Sequence, residues 1–319
     1  MDNLTHSLVG WAIAETGLKR RSRKGLAACV LAANMPDIDV FFGWAPWAPL
    51  ATHRGFTHGL LGGVLLMPPL LAGLLWFLDR WQLQRSALAG SELPIHFGWL
   101  VALSYLGAIT HPLLDLQNVY AVQLLSLAST RWLHTDGLFI VSPWLLAMLA
   151  LGIWRARKRH CGAPAQAALM ASVAFIALNM GISLMASKAA VHGFSHAKPD
   201  RIFASPEPLA FWKRDVIWRQ AGTIHFSRYD PLVSPGSMLG HVTSVADNMN
   251  DPIVKTAARA TGKVGVFLAF SQLPVATIVR QGCTATVTFG DARFSGPTLS
   301  RNFNVAVKVP LDRAACHQN

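Results

Sequence analysis

The run GLLGGVLLMPPLLAGLLWFL at residues 59–78 contains no charged side chain. A helix needs about 20 mostly apolar residues to cross the hydrocarbon core of a bilayer, so this stretch marks the chain as a membrane protein. Ala165–Ala186 meets the same requirement outright. Phe97–Leu116 meets it if His111 and Asp115 are tolerated near its end, and Gly25–Trp44 if Asp37 and Asp39 lie near one end. Gly137–Trp154 is slightly short but uncharged, and Leu4–Leu18 reads as an amphipathic or partly inserted helix. The expected fold is therefore an α-helical polytopic membrane domain of about five transmembrane helices plus an N-terminal amphipathic helix.

Composition agrees with this and also divides the chain. Of 319 residues, 52% are hydrophobic and 14% charged, against about 25% charged in soluble domains. The acids are unevenly spread: eight lie up to Ser187 and another eight in the shorter stretch 188–319, there mixed with many Lys and Arg. The division expected is a membrane-embedded helical domain over 1–187 and a small β-rich soluble domain over 188–319. In the second, Asp215–Gln220 and Thr223–Tyr229 flank Ala221-Gly222 as a hairpin. Val264–Phe270, Thr284–Phe289 and Asn304–Val309 read as strands from their β-branched and aromatic content, and Asp247–Ala260 as a short helix. The N-terminus has no basic n-region, and its apolar stretch is interrupted by His6 and Glu15, so no cleavable signal peptide is expected.

The net charge of +12 is read as topological, not as a nucleic-acid footprint. With five spans from Gly25 onward, Lys19, Arg20, Arg21, Arg23, Lys24, Arg80, Arg85, Arg155, Arg157, Lys158 and Arg159 all fall on one side. Only Arg54 and Arg131 fall on the other. The basic side is then cytoplasmic. That orientation carries Asp37, Asp39, His53, His58, His111, Asp115 and Asp136 to the outer ends of spans or outer loops, with His6 beside them if the first helix runs inward. The soluble domain emerges on the same outer face. Cys29, Cys161, Cys283 and Cys316 include no C-x-x-C pair, which argues against a thiolate zinc site. Cys283 and Cys316 can pair if their domain faces an oxidising compartment.

The chemistry-bearing residues sit at telling spacings. Carboxylates within membrane helices cost roughly 2.5–3.5 kcal/mol each on insertion scales, so they rarely persist without a task. In Asn34-Met35-Pro36-Asp37-Ile38-Asp39, residues two apart do not share a helix face, so both acids reach one ion only if the backbone opens after Pro36. His111 and Asp115 are four apart and share a face, a common pairing for zinc, iron or manganese. His53-Arg54-Gly55-Phe56-Thr57-His58 adds two histidines around an arginine suited to an anion. Asp136 caps a helix or joins the ligands. Trp44, Trp47, Trp76, Trp99, Trp132 and Trp144 read as interfacial anchors.

The series Met1-Asp2-Asn3-Leu4-Thr5-His6-x-x-x-Gly10, Asn34-x-Pro36-Asp37-x-Asp39, His53-Arg54-Gly55-x-Thr57-His58 and His111-Pro112-Leu113-x-Asp115 resembles a known family. It is that of the YdjM/YbcI-type membrane-bound metal-dependent hydrolases, also described as LexA-binding, inner-membrane-associated hydrolases. The similarity covers roughly residues 1–150, and Leu138-Phe139-Ile140-Val141 before Pro143-Trp144 also looks like the family. The family often has Asp before that proline, where this chain has Ser142. The resemblance implies metal-dependent hydrolysis. A looser likeness to zinc-dependent phospholipases C points towards phosphoesters.

The sequence reading is a hydrolase of the bacterial inner membrane, acting on an ester or phosphoester of a small or lipid-linked molecule. His6, Asp37, Asp39, His53, His111 and Asp115 are the expected ligands of a divalent metal, zinc first, then manganese or iron. Arg54 and His58 are the expected catalytic residues. The bilayer is the expected partner and nucleic acid is not. The rival readings are an ion or solute transporter and a non-enzymatic protein with a structural metal.

Overall fold

The computed structural model describes residues 1–42, 54–85, 93–192, 198–233, 239–295 and 303–311. They fall into two compact units. One is drawn from Met1–Phe41, Thr52–Gly181 and Pro208–Phe211, the other from Phe42–Ala51, Ile182–Glu207 and Trp212–Asn319.

The first unit is helical. Helix α1 (Asn3–Glu15) starts where the Asp2 carboxylate accepts from the Thr5 amide at 3.0 Å, a standard N-cap. Helix α2 covers Gly25–Asn34 and gives way to a 3-10 segment over Met35–Phe42. Pro36 causes the change, because it has no N–H for the α-helical ladder. Helix α3 (Leu60–Gln84) is π-wound through Leu66 and α-helical from Met67. Helices α4 (Phe97–Asp115), α5 (Pro143–Arg159) and α6 (Ala163–His192) follow.

Three described helices are long and apolar enough to cross a membrane: Leu60–Gln84, Phe97–Asp115 and Ala163–Val191. The two remaining expected spans take other forms. Gly25–Trp44 is no single α-helix, since α2 has only 10 residues, or about 15 Å. Gly137–Trp154 becomes helical only at Pro143, and its last turn carries Arg157, Lys158 and Arg159.

Small residues set the spacing inside this bundle. Ala28, Cys29 and Ala32 of α2 pack with Leu71 and Leu75 of α3 and Leu100 and Leu103 of α4. The Cys29 carbonyl faces glycines on both sides: a Cβ at Gly10 of α1 would lie 2.6 Å from it, and one at Gly107 of α4 closer still. The helix ends sort by charge. Arg23 reaches Asp79 in a forked ion pair at 2.7 and 2.8 Å, and the Ser22 hydroxyl accepts from the His96 amide at 2.9 Å. Arg20 donates to the His160 carbonyl at 3.4 Å. Around them Arg21, Arg80, Arg85, Arg157 and Lys158 lie over Trp99, Trp76, Trp81, Trp11 and Trp154 at 4.4–5.5 Å from the ring centres.

The second unit is mainly sheet. Strands β1 (Arg201–Pro206), β2 (Arg214–Gln220), β3 (Thr223–Tyr229) and β4 (Thr243–Ala246) form one antiparallel sheet in that order. Ala221 and Gly222, at φ 49° and 76°, make the β2–β3 turn, the backbone a two-residue hairpin of the primed type requires. Ala186, Ala189 and Ala190 of α6 pack against Val216, Trp218 and Tyr229. Strands β5 (Pro274–Gln281), β6 (Thr284–Asp291) and β7 (Asn304–Pro310) form a second antiparallel sheet. Helices α7 (Pro252–Ala260) and α8 (Gly262–Phe270) share its core.

Helix α8 corrects the strand expected over Val264–Phe270. The Thr261 hydroxyl caps it by accepting from the Val264 amide, and Val264, Phe267 and Phe270 fall on one buried helical face. Their spacing of three outweighs β propensity, which packing readily overrides. Cys29 and Cys161 are free and Cys283 is disulfide-bonded; Cys316 lies outside the described residues.

A buried ion pair anchors the second unit. Arg293 donates to both Asp291 oxygens at 2.9 and 2.7 Å, and Ser271 donates to the same carboxylate at 2.7 Å. Burial pushes the Asp291 carboxyl up, but Arg293 and Ser271 outweigh that and hold it below its ordinary value. The stabilisation is thus complete above the ordinary carboxylate range and is lost as pH falls through the lower, folded-state value. Asp291→Ala takes the carboxylate from a buried guanidinium and is expected to cost about 3–5 kcal/mol. Thermal unfolding of the full chain in detergent, followed by Trp fluorescence, checks this; an unchanged transition would rule the anchor out.

Candidate metal centre

The helix ends opposite the basic ones bring together four residues from three parts of the chain. His111 and Asp115 lie one turn apart at the end of α4, with Pro112 between them. Asp37 comes from the 3-10 segment after α2, and His58 from the short turn Phe56–His58 ahead of α3. All four are buried, and one ligand atom from each lies within 4.8 Å of the others.

Donor spacing tests whether an ion fits. His58 Nε2 lies 3.0 Å from His111 Nε2, 3.2 Å from Asp37 Oδ1 and 3.4 Å from Asp115 Oδ2. His111 Nε2 lies 3.4 Å from Asp37 Oδ1 and 3.6 Å from Asp115 Oδ2. Tetrahedral ligands at about 2.0–2.1 Å from zinc are separated by about 3.3–3.4 Å. The five separations bracket that value. Asp115 Oδ2, buried and turned to this point, has no hydrogen-bond partner among the described residues, and an ion or an ordered water satisfies such an oxygen. Two imidazoles and two carboxylates suit zinc, manganese or iron.

The surroundings orient these donors. The Ala33 carbonyl accepts from His111 Nδ1 at 2.7 Å, so the ring proton is on Nδ1 and Nε2 offers a lone pair. Arg54, only 3% exposed, donates to Asn118 Oδ1 at 2.8 Å and lies 3.3 Å from Asp115 Oδ1. Its guanidinium covers the Tyr120 ring at 5.1 Å, and its backbone is left-handed at φ 68°, a conformation that costs a non-glycine residue roughly 1–3 kcal/mol. The Met1 amino group is hydrogen-bonded to Asp115.

The other expected site residues divide. His6 stacks on His111 with ring centres 3.9 Å apart, and its Nε2 lies 3.5 Å from Asp115 Oδ1. It adjoins the four and is not one of them. Burial pushes its imidazole down to about 3, so it is neutral there. Asp39 is also outside the group: its Oδ2 lies 3.8 Å from His58 Nδ1, on the ring edge away from the shared point. A 3-10 turn holds three residues, so positions 37 and 39 point apart. Asp136 pairs with His134 Nδ1 at 3.0 Å and does not join the group. His53 lies outside the described residues. Ser142 is the α5 N-cap, its hydroxyl accepting from the Leu145 amide at 3.4 Å; Ser and Asp cap about equally well. His58 offers the same kind of ligand atom as His111, although the sequence alone suggested a catalytic role for it.

Residues 1–190 match the family model described as YdjM inner membrane protein. No curated protein and no solved structure matches the chain.

Proposed function

The chain belongs to the YdjM inner membrane protein family, and on that premise we propose that it is a membrane-bound, metal-dependent hydrolase of an ester or phosphoester. The carrying observation is the buried group Asp37, His58, His111 and Asp115. These four hold the ion, with zinc the best match to their spacing, and His6 stands beside them. A bound divalent ion supplies Lewis acidity and a water that ionises near neutral pH. Arg54 binds an anionic substrate oxygen: its Nε is buried and without a hydrogen-bond partner among the described residues. Asp115 and Asn118 hold the guanidinium in place, so little rearrangement is needed when charge develops. Ile38, Phe56 and Leu113 adjoin site residues in sequence and are 43–50% exposed, which favours a substrate with an apolar, lipid-linked portion.

A structural metal is the second reading, favoured by four fully protein-derived donors, since catalytic sites usually keep a position for water. Against it stand the absence of thiolates from the donor group and the buried arginine beside it. The test uses purified protein in mild detergent with aryl phosphate mono- and diesters and phosphatidic acid. Turnover abolished by chelation, restored by zinc and lost in Arg54→Gln with metal retained supports hydrolysis. Stoichiometric metal with no turnover on any of these substrates hands the site to the structural reading.

We further propose that the basic ends of the helices face the cytoplasm and the β-rich unit the outside. Cation-covered tryptophans suit the headgroup level, and the Cys283 disulfide suits an oxidising compartment. Cys161, exposed and free at the end of α5, reports on this. An impermeant maleimide is expected to spare it in intact spheroplasts and label it after permeabilisation; labelling beforehand reverses the topology.

A further inference from the structure

The motif Asp37-Ile38-Asp39 places one carboxylate in the metal group and sends the other to the far edge of His58. Thr57 links the two: its hydroxyl donates to Asp39 Oδ2 and lies 3.1 Å from His58 Nδ1. Because the single hydroxyl proton is used on Asp39, towards Nδ1 the oxygen can only accept. That draws the imidazole proton to Nδ1 and leaves the lone pair on Nε2, the atom turned towards Asp37, His111 and Asp115.

A competing donor makes this selection necessary. The Arg54 backbone N–H points at the same Nδ1 from 3.3 Å and favours the opposite tautomer, with the proton on Nε2. A ring protonated there cannot ligate a metal through that atom. Without the Asp39 carboxylate, the Thr57 hydroxyl is free to turn and donate to Nδ1 as well, and two donors then face one nitrogen. His111 needs no such device, since the Ala33 carbonyl can only accept.

We propose that Asp39, acting through Thr57, is a positioning residue that selects the Nδ1–H tautomer of His58 and so makes Nε2 a ligand. This rests on the metal-site reading for its purpose, although the tautomer is measurable without metal. The full chain is labelled with ¹⁵N-histidine, stripped of metal and measured at alkaline pH, where imidazoles are neutral. The His58 signals are assigned by their loss in His58→Gln. Wild type and Thr57→Ser are expected to show Nδ1–H; Asp39→Asn and Thr57→Val are expected to shift towards Nε2–H. Zinc affinity, read by chelator competition, is expected to fall about 10–100-fold in the last two, the usual effect of losing such an outer partner, and to hold in Thr57→Ser. An unchanged His58 tautomer in both Asp39→Asn and Thr57→Val overturns the proposal, as does Nε2–H in wild type. A tautomer that switches in the two variants, when the wild-type protein has no zinc affinity, keeps the relay and removes the metal reading instead.

Discussion

His111→Ala and Asp37→Ala are expected to purify without the metal that the wild-type protein retains. Structural zinc sites bind with about 10–16 kcal/mol at neutral pH, or roughly 2.5–4 kcal/mol per ligand over four. Each loss therefore weakens binding about 10²–10³-fold. His111→Ala also strands the buried Ala33 carbonyl, which adds about 1–3 kcal/mol of instability. His134→Ala serves as the control, since His134 pairs with Asp136 and neither is one of the four, and it is expected to keep its metal. Plasma mass spectrometry of protein purified in mild detergent reads all of this. A metal-free wild type that folds normally and ignores added zinc would sink the hydrolase and return the acids to a transport role.

Gly107→Val is expected to damage both stability and metal binding without touching a ligand. A side chain at 107 meets the Cys29 carbonyl and Ala32 of α2, and overpacking typically costs 1–3 kcal/mol, occasionally more. Helix α4 must then move off α2. His111 lies one turn further along α4 and is tied to α2 through the Ala33 carbonyl, so the displacement reaches the ligand directly. A lowered unfolding temperature together with at least a tenfold weaker zinc affinity is the expected pair of results. Gly73→Val on α3, where an added Cβ meets nothing within 4 Å, is expected to show neither. Lowered stability with unchanged zinc affinity would show that the ligands do not depend on this helix contact.

Much of this was readable along the chain, for reasons that differ by residue. The apolar runs Gly59–Leu78, Phe97–Leu116 and Ala165–Ala186, which fall in the helices Leu60–Gln84, Phe97–Asp115 and Ala163–Val191, are legible because bilayer thickness sets a minimum length that composition alone can meet. His111 and Asp115 are legible as a pair because helical periodicity puts positions four apart on one face. The β2–β3 hairpin follows from turn chemistry at Ala221-Gly222. Other expectations failed where local pattern is ambiguous. Val264–Phe270 is rich in the residues of strands and helical cores alike, and only its burial against β5 and β6 picks the helix.

By itself, then, the sequence determined that the chain has a membrane part and a sheet-rich part, and it supplied the polar residues from which the buried group is drawn. These are local or one-dimensional properties: hydropathy over a window, charge per loop, spacing along a helix. Tertiary structure alone decided which of those polar residues share a point. It took Asp37 and left Asp39, because a 3-10 turn after Pro36 points them apart. It brought His58 to His111 across 53 residues of chain, and it turned Asp136 to His134 instead. Whether donor atoms converge to about 3 Å depends on helix packing distances and side-chain directions, and no spacing along a chain encodes those.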